Sequence, residues 1–189
     1  MNARGLVLFP GAGSDAQHSA LVAIEHAVAP LPTLRVDFPY RLDGKKFPDK
    51  TPVLVECVKL AVRAFAKQLQ CSTNQLVIGG RSMGGRMCTM AASDEVDPLE
   101  VLGVACIGYP LHPPKKPDKL RTEHFGNLHN PLLFISGTRD EFGTPEELEL
   151  AWKLLPNRPT VQMIEKGRHE LRGADAQVAD FVAQWLQNL

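Results

Sequence analysis

The sequence predicts an α/β fold, a sheet of about six mostly parallel strands with helices on both faces. Three observations predict it. Short apolar runs alternate with longer segments of helical period along the whole chain. The runs are apolar at successive positions, which suits strands buried on both faces of a parallel sheet. Glycine- or proline-rich turns close most of those runs, at strand carboxyl ends, where sites collect in such folds.

The first strand is Leu6-Val7-Leu8-Phe9, ending in the turn Pro10-Gly11-Ala12-Gly13-Ser14-Asp15. Residues 16–29 read as a helix, with Ala20, Leu21, Ile24 and Val28 on one face and Ser14 or Asp15 as cap. The turn is either a plain strand-to-helix connection or a source of backbone N–H groups for an oxyanion. It is no phosphate-binding P-loop, since no Gly-Lys-Ser/Thr follows. Residues 33–38 form a second strand, stopped by Pro39. Residues 39–52 are a polar loop with Arg41, Lys45 and Lys46, either a solvated surface or a pocket rim for an anionic group. Residues 53–69 are a periodic helix burying Leu54, Val58, Ala61, Phe65 and Leu69.

The strand Gln75-Leu76-Val77-Ile78 then enters Gly79-Gly80-Arg81-Ser82-Met83-Gly84-Gly85-Arg86, and residues 87–92 are a helix-compatible run of a helix that begins just past Ser82. A turn at residues 94–98 leads to a buried strand over 101–108. Tyr109-Pro110-Leu111-His112-Pro113-Pro114 is neither helix nor central strand, because of its prolines. Residues 115–129 are polar, a short helix and loop. Leu132-Leu133-Phe134-Ile135-Ser136 is the next strand, followed by Gly137-Thr138-Arg139-Asp140-Glu141-Phe142-Gly143. Thr144 caps a helix reaching about Leu155, with Pro145 in its first turn and Glu147 completing a capping box. Residues 160–164 are the last strand. Gly167-Arg168-His169-Glu170 follows, then a helix over 174–189 with Val178, Phe181, Val182, Trp185 and Leu186 inward.

A length of 189 residues suits one domain, 1–189, with a real core. Lys+Arg and Asp+Glu number 21 each, so the basic excess of a nucleic-acid or membrane-surface binder is missing. Cys57, Cys71, Cys88 and Cys106 show no zinc spacing and read as reduced thiols of a cytoplasmic protein. Four apolar residues precede Pro10, too few for a signal-peptide core or a membrane span.

The chemistry centres on Gly80-x-Ser82-x-Gly84. Strand, tight turn with serine, then helix is the context of a nucleophile elbow. Residues two before and two after the serine have to be small, and both are glycine. An attacking serine needs a base, and the base an orienting acid. Ser82, Asp140 and His169 stand in the order nucleophile, acid, base, each after a strand. Glu141 competes with Asp140, which stands earlier in its turn. His18 and His26 lie on the first helix and His124 and His129 in a polar loop. His112 follows a strand end and could line the pocket, but it precedes the acid.

On these motifs the chain resembles a small α/β-hydrolase of the superfamily that includes dienelactone hydrolases. It is similar, more closely, to the compact family named for the testis-expressed and non-specific-lethal chromatin-complex hydrolase-like proteins. The matching residues are Gly11-Ala12-Gly13, Asp37-Phe38-Pro39-Tyr40, the 79–86 stretch, the 109–114 stretch and the 137–143 stretch. The resemblance implies a minimal α/β-hydrolase fold with a hydrolase core and an undefined substrate. Relative to larger hydrolases, a leading antiparallel hairpin and a lid insertion are missing, so an open, shallow site is expected.

The expected activity is a serine hydrolase acting on a small ester or thioester through an acyl-serine. Met83 and Ala12 or Gly13 would hold the oxyanion, and neither metal nor organic cofactor is needed. Arg81, Arg86, Tyr109 and His112 are candidate substrate-binding residues. Arginines adjoin every member of the triad: Arg81, Arg139 and Arg168, with Arg86 nearby. They are surface charges and ion-pair partners, or they hold a carboxylate or phosphate on the substrate. Two competing readings are an interaction module with a vestigial triad and an acyltransferase using the same acyl-enzyme.

Overall fold

The computed structural model describes residues 2–189. Six strands form one sheet: β1 (Gly5–Phe9), β2 (Thr33–Arg35), β3 (Leu76–Arg81), β4 (Gly103–Ile107), β5 (Leu132–Gly137) and β6 (Thr160–Ile164). Their order is β2-β1-β3-β4-β5-β6, and every pairing is parallel. The helices are α1 (Ser19–Ala27), α2 (Pro39–Leu42), α3 (Thr51–Gln68), α4 (Met83–Ala92), α5 (Pro145–Trp152) and α6 (Asp175–Gln187).

The apolar runs sort their side chains by the strand period of two. In β1, Leu6 and Leu8 face a core with Leu21 and Ile24 of α1 and Val178, Val182 and Trp185 of α6. Val7 and Phe9 face the opposite core, with Leu54, Val58 and Phe65 of α3, Met87 and Cys88 of α4, and Leu148 and Trp152 of α5. The sheet is thus covered on both faces, which parallel strands require.

After β1 the chain runs outward to β2, then crosses back to β3. Strand order reverses between β1 and β3, so their carboxyl ends flank a crevice. The glycine turn after β1 and Ser82 after β3 border that crevice.

Several boundaries can be set against expectation. The first helix starts only at Ser19, and its cap is His18, whose Nδ1 accepts the Ala20 N–H at 3.2 Å. The 39–52 loop opens with a short helix, since Pro39 presets the first turn. The helix after Ser82 starts at Met83, directly past the serine as expected. In the 115–129 segment, a single 3₁₀ turn, Phe125–Asn127, is formed. The capping box at Thr144 and Glu147 is made as the sequence predicts.

Candidate active site

Ser82 joins β3 to α4 with φ 49° and ψ −114°. Positive φ is sterically costly for a residue with a Cβ. Two glycines make the turn possible. A Cβ on Gly80 would lie 2.5 Å from the Phe9 carbonyl oxygen and 2.7 Å from the Gly84 carbonyl carbon. A Cβ on Gly84 would collide with the Phe9 carbonyl and sit 2.7 Å from the Pro10 oxygen. The small residues therefore serve more than the turn itself. They let the amino end of α4 press against the end of β1.

Ser82, His169 and Asp140 form one hydrogen-bonded line. Ser82 Oγ lies 2.8 Å from His169 Nε2. His169 Nδ1 lies 2.9 and 3.0 Å from the two Asp140 carboxylate oxygens. With Nδ1–H donated to Asp140, Nε2 is the lone pair facing the serine hydroxyl. Asp140 and His169 are both buried, so this pair is shielded from water. Asp140 also accepts the Phe142 N–H at 2.8 Å. The Phe142 ring stacks on the His169 imidazole, 4.0 Å between centroids and 28° between planes.

The ends of β5 and β6 are knitted together, which sets the distance between acid and imidazole. Arg139 N–H donates to the Gly167 carbonyl at 2.8 Å, Thr138 N–H to Ile164 at 3.0 Å, and Lys166 N–H to Thr138 Oγ1 at 2.8 Å. Gly137 and Gly167 approach so closely that any side chain on Gly137 would overlap the Gly167 backbone.

A cavity of about 650 Å³ opens over Ser82. Ala12, Gly13 and Met83 border it. Among the described residues, none of their three N–H groups donates to a backbone acceptor outside helix or strand, nor to a side chain. The glycine turn is held in place from behind: Tyr40 OH donates to the Ala12 carbonyl at 2.8 Å, and Asp37 accepts the Ala16 N–H at 2.7 Å. The notable residues of the second strand and its exit thus act on the first turn. Pro48, Asp49, Thr51 and Leu54 form one wall, and Pro110 and Arg121 another. The 39–52 loop, which the sequence offered as a pocket rim, thus contributes through Pro48 and Asp49.

The arginines separate. Arg81 is buried at the cavity edge and pairs with Glu170 at 2.7 Å. Arg86 also borders the cavity, whereas Arg139 and Arg168 are exposed. Tyr109 and His112, expected to touch substrate, do not border the cavity. Tyr109 is buried among Phe125 and Phe134, and its hydroxyl donates to the Arg121 carbonyl at 2.7 Å. His112 is buried between Glu147, 3.2 Å from Nε2, and the Pro113 carbonyl, 2.9 Å from Nδ1. The prolines that break the chain after β4 turn both side chains inward.

Phe142, Tyr40, Arg121 and His18 border or brace the site without having been singled out for it. His18 faces the cavity, and burial together with the Arg81 charge holds its imidazole below the ordinary histidine range. The four thiols are unpaired, and burial pushes those of Cys88 and Cys106 up. Among the described residues, no cluster of three or more His, Cys, Asp or Glu side chains has the geometry to hold a metal ion. No described helix is long and apolar enough to cross a membrane.

A six-stranded parallel sheet with helices on both faces, and a serine at the sharp turn after the third strand, defines the α/β-hydrolase class of fold. Residues 2–186 match the family model described as "Alpha/beta hydrolase domain", and the chain belongs to that family. Solved structures share the fold. A dienelactone hydrolase from Anabaena variabilis superposes with a TM-score of 0.75 at 21% identity, over 98% of this chain and 87% of that one. An alpha-beta serine hydrolase homologue from Coxiella burnetii gives 0.77 at 16%, over 98% and 86%. Est1E from Butyrivibrio proteoclasticus gives 0.76 at 16%, over 100% and 89%.

Proposed function

We propose that the protein is a serine hydrolase that cleaves a small ester or thioester through an acyl-Ser82 intermediate. The carrying observation is the continuous line from Ser82 Oγ through the His169 ring to a buried Asp140. Such a line has a direction. The carboxylate fixes which imidazole nitrogen is protonated, and the other nitrogen is left as a base within reach of the hydroxyl.

In the first half-reaction Ser82 Oγ bonds to the acyl carbon while its proton passes to His169 Nε2. The carbonyl electron pair moves onto oxygen, which the N–H groups of Met83 and of Ala12 or Gly13 receive. Collapse breaks the bond to the alcohol or thiol, which takes the proton from His169. Water repeats the sequence, with His169 again as base, and releases the acid and free Ser82. Asp140 keeps its charge throughout and stabilises the imidazolium. All three proposed oxyanion donors border the cavity, which supports their assignment. The narrower kinship with the compact testis-expressed and non-specific-lethal group rests on the matching motifs and belongs to this proposal.

A fluorophosphonate probe tests the reading, because it reacts only with an activated serine. Labelling of the wild type should map to the peptide containing Ser82 and vanish in Ser82→Ala. Asp140→Asn should retain the fold and lose about four orders of magnitude in kcat on an activated ester, as the wrong tautomer faces the serine. A folded wild type that stays unlabelled would overturn the proposal and favour a non-catalytic role.

A further inference from the structure

We propose that Arg86 and Arg121 form an anion subsite beside Ser82, so that the substrate is an acyl compound bearing a carboxylate or phosphate. This rests on the hydrolase reading and narrows its substrate class.

Other cations around the cavity are already matched. Arg81 is held by Glu170 at 2.7 Å. Arg41 faces Asp15 at 3.8 Å, and Lys45 lies 2.9 Å from Asp43 and 3.9 Å from Asp49. These pairs also occupy the two acids that border the cavity, Glu170 and Asp49. Arg86 and Arg121 border the same cavity, and neither has a carboxylate at salt-bridge distance among the described residues. Arg86 Nε is buried with no hydrogen-bond partner at all. Arg121 makes a single 3.3 Å contact from Nη1 to the Pro110 carbonyl.

Both residues are anchored through their backbones at the cavity that opens over Ser82. Arg86 lies one helical turn beyond it, its N–H bonded to the Ser82 carbonyl at 3.1 Å. The Arg121 backbone is clamped, its N–H on the Leu111 carbonyl at 2.8 Å and its carbonyl on the Tyr109 hydroxyl at 2.7 Å. The carboxylate that acts on Arg121 is that of Glu123, which is exposed and beyond salt-bridge distance. Burial, with Arg86 adding to it and Tyr109 and Glu123 opposing it, lowers the Arg121 guanidinium below its ordinary value, so the two cations sense each other.

Keeping two half-buried guanidinium groups at one cavity without a directly paired carboxylate is unfavourable. A ligand anion in the cavity relieves both terms at once. The planar fork of arginine matches the paired oxygens of a carboxylate or phosphate. A substrate with such a group would be anchored at one end while its acyl carbon meets Ser82.

The test has two arms. In the first, kcat/KM is measured on mono-p-nitrophenyl glutarate and on its uncharged methyl ester. The ratio of charged to uncharged rates should fall about 10- to 100-fold in Arg86→Met and in Arg121→Met, the range expected for a lost charge-assisted hydrogen bond. Arg86→Lys should keep part of it, and Arg158→Gln, at a surface ion pair, should leave it alone. Thermal melts check the fold, and if one Met variant fails to fold the other carries the arm. An unchanged ratio in an active enzyme overturns the subsite and spares the hydrolase reading.

The second arm is independent of turnover. Glutarate and inorganic phosphate are titrated calorimetrically into Ser82→Ala and into Ser82→Ala/Arg121→Met. Binding by the first and not by the second supports the subsite even if no ester is cleaved, and the tighter anion identifies the group. Failure of both anions to bind overturns it.

Discussion

Ser82 is the residue where local cost and chemistry meet. At φ 49° and ψ −114° it occupies a region that costs a residue with a side chain about 1–3 kcal/mol. Alanine at this position keeps the Cβ and therefore the strain, while glycine sheds it at the expense of a freer unfolded chain. Both variants lack the hydroxyl and should be inactive. Ser82→Gly should nevertheless be more stable than Ser82→Ala by about 1 kcal/mol, seen as a higher urea midpoint with an unchanged slope. Equal midpoints would mean that the turn is not strained. Tyr40 acts at the same scale through a single hydroxyl. Its bond to the Ala12 carbonyl fixes the plane of the Ala12–Gly13 peptide, because carbonyl and N–H of one peptide point in opposite directions. Tyr40→Phe should lower kcat about tenfold with little change in KM, since a loosened oxyanion donor affects mainly the transition state. A rise in KM at constant kcat would place the loss in substrate binding instead.

At the scale of elements, the strands were legible because each was an apolar run closed by a turn. The strand over 160–164 falls where it was expected. The edge strand β2 was overestimated: it ends at Arg35, since Asp37 turns to accept the Ala16 N–H. Helix α4 begins just past Ser82, as the elbow context predicts, although Gly84 and Gly85 are poor helix formers. Their smallness is what lets α4 pack on β1, so the packing need overrides the propensity. Chain order after the strands also made Ser82, Asp140 and His169 legible. Phe142, Tyr40 and Arg121 were not, since their roles depend on contacts between segments distant in sequence. The junction of β5 and β6 gives a prediction here. Gly137→Ala would force the two strand ends apart and should destabilise the fold by about 1–3 kcal/mol. Because Asp140 and His169 hang on opposite sides of that junction, the rate of fluorophosphonate labelling should fall even at temperatures where the variant is fully folded. Retention of the full labelling rate would show that the separation of the strand ends does not govern that pair.

For the molecule as a whole, acid should act first through the histidines held below their ordinary range, His124 more than His18, and only later through carboxylates. The Thr89 hydroxyl donates to the Arg86 carbonyl at 2.8 Å, so at 2.9 Å from His124 Nε2 it can only accept. His124 is therefore held as the neutral Nε2–H tautomer. Burial, reinforced by the Arg86 charge, pushes its pKa down from 6.5 to about 4. The sign follows from proton counting. Between these values the unfolded chain binds a proton that the folded protein refuses, so stability is full above 6.5 and falls as pH drops towards about 4. Asp94 takes over at lower pH. It accepts the Asp97 and Val96 N–H groups and Lys59 Nζ, which lower its pKa from 3.8 to about 2. Its contribution is present above 3.8 and is lost as pH falls through about 2. Urea midpoints measured from neutral pH downward should decline first through the histidine range and again below the carboxylate range. In His124→Gln the upper decline should be shallower and the lower one unchanged, because glutamine can still donate to Thr89 but cannot titrate. Parallel curves for the two proteins would mean that His124 takes up its proton equally well folded and unfolded, and that the Arg86 charge is compensated in solution.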